Sequence, residues 1–473
     1  MTRMNEETQS KRAVSFRKFG LSAFLFAGLV VVCLYKNTAA ITYPVYMIGL
    51  LVLLHRILPL ARKESTTRFY VVALVLLSIS KCTTASAALQ RMDGLAIFLL
   101  FFSLLVHRIC EDADWESAKR LRALGKAIVT PWKKLFEFFR DQAAFLRERR
   151  NHSEKSVLGS VGIGLLIALP LAFVVLMLLG SADKVFGDMT ESLLDELNFL
   201  EHITEHIGII LLFLCSLLGW YAGAKVFAED GLVVSDKTPR QYDAAIGITI
   251  NMLLAVVYVS FSVVQIVVLF TGGMALPAKY TYAEYAHQGF YQLVFVCLIN
   301  LLVVSISKAL FAKNKMLDIL LAIIWGCTYI MIVSGCFRMI LYVRAYQFTF
   351  LRLFVLWAMG MIAICLTAIL LHIFWEKVRV YRVCLVAVTI GYLLFALAHP
   401  DYWIATYNMN KEPVKENSYD QRYLIVHLSE DAVPAYRKDE ELMERYKNYY
   451  SAQNSPRSML SEIRHFNISN AVA

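Results

Sequence analysis

The sequence predicts an all-α polytopic transmembrane bundle of about eleven spans, followed by a small extracytoplasmic α-helical C-terminal module. Three observations carry that expectation. Apolar residues make up 58% of the 473 and collect into runs of about 17 to 25, the length a helix needs to cross about 30 Å of hydrocarbon. Lipid offers the backbone no hydrogen-bond partners, so such runs must be helical. Lysine and arginine alternate between rich and poor loops along the chain, which is the partition that orients a membrane protein.

The expected spans are 19–35, 41–60, 69–86, 94–109, 157–180, 206–227, 246–271, 289–307, 316–335, 352–374 and 381–398. A basic stretch (Arg3, Lys11, Arg12, Arg17, Lys18) precedes the first. The run after it is long and ends in a poor cleavage site, so it reads as a retained signal anchor. With the N-terminus inside, the inner loops carry Arg62, Lys63, Arg68, the dense set from Arg108 to Lys155, Lys237, Arg240, Lys308, Lys313, Lys315, Lys377, Arg379 and Arg382. The loop 181–205 carries Lys184 among seven acidic residues and is placed outside. An odd number of spans then puts the C-terminus outside.

Four regions follow: a four-span membrane region over 1–110, a cytoplasmic basic amphipathic helical segment over 111–156, a membrane core of about seven spans over 157–398, and an extracytoplasmic module over 399–473. In the amphipathic segment Leu121, Leu124, Ile128, Trp132, Leu135, Phe136, Phe139, Ala143 and Leu146 recur at helical spacing, with basic residues on the other face. That pattern suits a helix lying in the headgroup plane, and Pro131 should divide it in two. In the span 157–180, Ser156, Ser160, Gly164 and Ala168 form a small-residue stripe for helix packing. Pro413, Pro434 and Pro456 punctuate the tail into two or three short helices expected to pack on the outer ends of the spans.

The nine cysteines lie in or beside apolar runs, without C-x-x-C spacing, and read as apolar packing residues. The net charge of +10 reflects topology in such a chain, and no nucleic-acid partner is expected. No P-loop, Rossmann glycine fingerprint or G-x-S-x-G elbow sits where it could work, so neither a cofactor nor a catalytic set is expected. His202, Glu205 and His206 form an H-x-x-E-H string, two histidines on one helical face with Glu205 as candidate base between them. No third ligand is identifiable, so the expectation is an acidic interfacial helix and no metal.

A charge at mid-bilayer costs about 2.5–3.5 kcal/mol even on the mild insertion scale, so polar side chains in spans are informative. They include Arg56 with His55, Asn251, Gln265, Asn300 and His372, and no carboxylate relay is evident. The connector "SGCFRMILYVRAYQFTFLRLF" (334–354) carries Arg338, Arg344 and Arg352 on the outer side, against the charge trend. On one continuous helix these three form a basic arc bordered by Tyr342, an anion or lipid-headgroup site. The same stretch is a natural docking surface for the tail.

Six segments in order, "LLGSADKVF", "TYAEYAHQGFYQLVFVCLINLL", "FRMILYVRAYQFTFLRL", "HPDYWIATYNMN", "LSEDAVPAY" and "IRHFNIS", resemble a bacterial multi-pass membrane family of unknown function, the domain-of-unknown-function 4153/4173 type. The resemblance covers about residues 157–473. It marks Asp183, Tyr285, Gly289, Phe290, Pro400, Asp401, Asn408, Asp420, Asp431 and Pro434 as motif positions without an assigned role. The family's N-P-D string begins here with His399, and its Y-G-L-T turn is Tyr346-Gln347-Phe348-Thr349, where the loss of glycine removes easy access to positive φ.

The resemblance implies a multi-pass protein of the bacterial cytoplasmic membrane. The expected function is a non-enzymatic part in envelope sensing, regulation or assembly, with the lipid bilayer and another membrane or envelope protein as partners. The alternatives are a transporter or lipid translocase and, on His202, Glu205, His206 and His287 alone, an intramembrane enzyme.

Overall fold

The computed structural model describes residues 2–37, 39–58, 64–110, 117–152, 200–232, 242–271, 290–375, 377–411 and 419–451. These are almost entirely helical, with one isolated bridge joining Tyr242 and Phe311. In chain order the helices are α1 (Thr2–Leu34), α2 (Thr42–Ile57), α3 (Ser65–Thr83), α4 (Ala87–Ile109), α5 (Ser117–Val129), α6 (Glu137–His152), α7 (Leu200–Lys225), α8 (Ala244–Thr271), α9 (Phe290–Leu310), α10 (Lys315–Tyr346), α11 (Phe350–Phe374) and α12 (Val380–Leu397). Four short ones follow: α13 (Pro400–Lys411), α14 (Tyr419–His427), α15 (Val433–Tyr436) and α16 (Glu440–Ser451). Nine of the described helices are long and apolar enough to cross a membrane, and α2 is a shorter apolar helix. The protein is a polytopic all-α membrane protein. The span expected at 157–180 lies outside the described residues.

Several boundaries differ from the hydropathy reading, α1 beginning at Thr2 rather than 19, and two others bear on the polar residues. Helix α4 starts at Ala87 rather than 94, which brings Asp93 onto it. Helix α10 runs past 335 to Tyr346, 32 residues or about 48 Å. It outruns the hydrocarbon thickness, so one end of it stands in the interfacial region.

Contacts divide the chain into two compact units, Met1–Val75 with Leu100–Ala113 and Arg122–Val233, and Leu76–Leu99 with Asp114–Leu121 and Val234–Ala473. In the first unit α1 packs along α7 and α6. Its core joins Phe19, Ala23 and Ala27 of α1 to Phe138 of α6 and Leu217, Tyr221 and Ala224 of α7. The alanines let the helices approach closely, which is how apolar helices associate when lipid is as apolar as they are. A 3₁₀ turn (Thr130–Lys134) containing Pro131 separates α5 from α6, since proline supplies no N–H to continue a helix.

In the second unit α8, α9, α10 and α11 pack together, and polar side chains pin the helices to one another. Asn251 Nδ2 donates to Ser307 Oγ at 3.1 Å, Asn300 Nδ2 to Thr328 Oγ1 at 2.9 Å, and Ser334 Oγ to Gln265 Oε1 at 2.7 Å. Each such bond between membrane helices contributes about 0.6–1.7 kcal/mol. The short helices form a separate small core from Ile404, Ala405, Leu424, Leu428, Tyr436 and Leu442, against which Phe348, Phe350 and Leu353 pack.

The three-residue break between α10 and α11 is sharp. Gln347 takes φ 62° and ψ 176°, a region that glycine occupies and β-carbons resist. The tight turn is therefore kept although glycine is not there. Gln347→Gly is expected to stabilise the protein by about 1 kcal/mol, read as a raised midpoint in detergent thermal unfolding. An unchanged or lowered midpoint would mean the turn carries no strain.

Candidate functional site

Besides the bonds between spans, polar residues of the second unit gather in three places. The first lies on α3, α4 and α12. Asp93 is fully buried. Its carboxylate accepts from Ser80 Oγ at 3.0 Å and from Tyr392 OH at 2.7 Å. Lys81, also buried, attracts it. The Lys81 ammonium lies 3.3 Å from where a Cβ on Gly94 would stand, so glycine beside Asp93 leaves room for the lysine head. Helices α3 and α4 thus bring opposite charges together where neither could sit alone in an apolar surround.

The second place is the turn between α3 and α4. Asp431, on a 3₁₀ turn (Glu430–Ala432), accepts from Thr84 Oγ1 and, at 2.8 Å, from the Ala85 N–H. His399 Nδ1 stands 3.4 Å from the same carboxylate. Asp401, on the first turn of α13, accepts from the Ser429 N–H at 3.2 Å and its hydroxyl at 2.6 Å, so it caps the start of the 3₁₀ turn that carries Asp431. Pro400 and Pro434 occupy first turns of their helices, where a missing N–H costs nothing.

Charge and burial set the titration of this second place. The hydrogen bond to Asp431 holds His399 above its ordinary 6.5. Burial pushes Asp401 and Glu430 up, and the neighbouring Asp431 adds to both. All three raised values share one sign. The protonated forms favour the fold, and that stability is lost as pH rises through the folded values. The step near neutrality belongs to His399. Protection of α13–α16 from protease is expected to fall as pH rises through and above 6.5, and His399→Asn should flatten that step. A step surviving in His399→Asn would assign it to another group.

The third place is the break after α10. Asn408 of α13 clamps it, accepting from the Phe348 N–H and donating to the Phe348 carbonyl, both at 2.9 Å. The Phe350 N–H donates to Tyr423 OH at 3.1 Å. Phe348 meets Tyr407 edge-on at 4.8 Å, and Lys411 donates to the Arg344 carbonyl. The end of α10 is thus where the short C-terminal helices dock.

The three connector arginines do not lie on one continuous helix, because the turn at Gln347 intervenes. Arg338 donates to Gln265 at 2.9 Å inside the bundle. Arg352, on α11, stacks over Tyr342 at 4.1 Å and donates to the carbonyls of Tyr346 and Gln347, satisfying the open end of α10. Arg344 is exposed. Two of the three cations are therefore engaged by the protein, and the arc read from helical spacing is divided between helices.

Among the other predicted positions, Pro400, Asp401, Asn408 and Asp431 are buried and Pro434 half-buried. Asp183, Tyr285, His287 and Gly289 lie outside the described residues, as do the side chains of Phe290, Asp420, His202, Glu205 and His206. Among the described residues no group of three His, Cys, Asp or Glu is placed to hold a metal ion. Sequence reasoning passed over Lys81, Thr84, Asp93 and Tyr392. The string "SISKCTTAS" already held the signal, a lysine that an apolar helix could tolerate only if paired.

No curated protein and no solved structure matches this chain. A family described as "Domain of unknown function (DUF4153)" matches residues 24–438, reaching the first spans as well as the motifs around Asp401 and Asp431. The chain therefore belongs to that family of bacterial membrane proteins.

Proposed function

We propose that the protein is a non-enzymatic component of the bacterial cytoplasmic membrane that acts in envelope sensing, regulation or assembly, with its N-terminus in the cytoplasm and its C-terminal helices outside. One observation supports this reading above others. The carboxylates at the family's motif positions are occupied by protein donors: Asp431 fastens the C-terminal helices to the α3–α4 turn, and Asp401 holds the segment that carries Asp431. Residues so used hold a module in place and leave it exposed faces, including Trp403, for an envelope partner. The span amides agree, since Asn251, Asn300 and Gln265 each bond to a neighbouring helix.

The second reading, a transporter or lipid translocase, rests on the buried Lys81 and Asp93 within α3 and α4. Both readings meet in one experiment with purified protein in proteoliposomes. The leading reading expects no movement of ions, small solutes or fluorescent phospholipid above empty vesicles. Flux that disappears in Asp93→Asn would replace it with the second.

A further inference from the structure

Helix α6 has two faces with opposite chemistry, and its position along α1 and α7 fixes its depth. The three acidic residues of α6 all turn inward. Glu137 pairs with Lys225 at 2.8 Å, Asp141 accepts from Tyr221 OH at 2.8 Å, and Glu148 stands 3.6 Å from Arg17. Phe138 and Phe145 meet Phe16 on the same side, at 5.7 and 5.3 Å. The outward side carries Lys133, Arg140, Arg147 and Arg149, all exposed. Beside them Trp132 and Phe136 are 71% and 70% exposed, and Phe139 is exposed as well.

Two independent registers place α6 at a membrane boundary. On α1 it touches Phe16, Arg17 and Phe24, where the basic stretch ending at Lys18 gives way to the apolar run. On α7 it touches Tyr221 and Lys225, where the apolar run gives way to Glu229 and Asp230. Aromatic rings and cations exposed together at that depth match the headgroup layer, with acyl chains on one side and phosphates on the other. With its acids consumed internally, the outward face presents cations that complement a negative leaflet surface.

We propose that the 3₁₀ turn and α6, residues 130–152, are a binding surface for anionic phospholipids. Trp132, Phe136 and Phe139 lie among the upper acyl chains, and Lys133, Arg140 and Arg147 take the headgroup phosphates. This surface is separate from the polar places of the second unit and holds whether the protein senses or transports.

Full-length protein reconstituted in vesicles tests this in two ways. The tryptophan emission lost between wild type and Trp132→Phe reports that side chain. It is expected to be quenched by lipids brominated high on the acyl chain and shielded from aqueous acrylamide. The reverse pattern would put this face in water, as a surface for a soluble protein, and overturn the proposal. The second arm compares retention of phosphatidylglycerol and phosphatidylcholine by native mass spectrometry. In the triple variant Lys133→Gln, Arg140→Gln, Arg147→Gln the preference for phosphatidylglycerol is expected to fall by about tenfold or more. An unchanged preference would also overturn it.

Discussion

Asp93→Ala is expected to destabilise the protein by about 3–5 kcal/mol, the cost of removing a buried carboxylate that attracts a buried lysine and accepts from two hydroxyls. Three losses coincide. Lys81 loses the carboxylate that attracts it in a buried site, while Ser80 and Tyr392 lose the acceptor that their hydroxyls share. Water cannot substitute easily, because Asp93 and Ser80 are both essentially inaccessible. The neutral pair Lys81→Met with Asp93→Leu removes both charges together and should recover most of the loss, since apolar replacements of buried pairs are often tolerated. Thermal unfolding in detergent gives the comparison. If the single variant melts with wild type, the pair does not hold α3 to α4. If the double variant is stable but inactive in any assay the wild type passes, the pair acts in function rather than packing.

That pair also shows where sequence reading stopped. Runs of apolar residues foretold the spans because lipid leaves the backbone no choice but helix. A run average, however, treats a charge as an end. Asp93 and the polar residues before it moved the expected start of α4 to 94, while the helix begins at Ala87 because the charge is answered on α3. The same bias cut α10 at 335, although Arg338 is answered by Gln265, 73 residues earlier. Composition along the chain cannot see a partner on another helix. Tyr392 lies 299 residues from Asp93, and Thr84 lies 347 from Asp431. The motif positions Asp401, Asn408 and Asp431 were visible through the family resemblance, but their part in fastening the C-terminal helices needed coordinates. Gln347 adds a further lesson. Glycine is the easiest residue for a positive φ, yet Asn408 and Arg352 hold the turn around a glutamine.

Asp431→Ala is expected to release the C-terminal helices from the α3–α4 turn, at a cost of about 3–5 kcal/mol to their local stability. The deleted carboxylate serves the Thr84 hydroxyl, the Ala85 N–H and His399 at once, and its own side chain is buried. Asp431→Asn keeps one acceptor but turns an amide N–H toward donors, so it should fall between wild type and alanine. The effect should be local. Asn408 and Tyr423 still grip the break after α10, so the helices keep that attachment. Tryptic cleavage at the exposed Arg437 and Lys438, with amide exchange across α13–α16, separates this from global unfolding. Faster cleavage and exchange there, with α8 to α11 unchanged, is the expected pattern. Equal protection in wild type and alanine variant would remove Asp431 as a fastening. Release should also abolish the pH step assigned to His399, because without Asp431 the imidazole loses the partner that raises its pKa. A step that persisted in Asp431→Ala would contradict the ion pair itself.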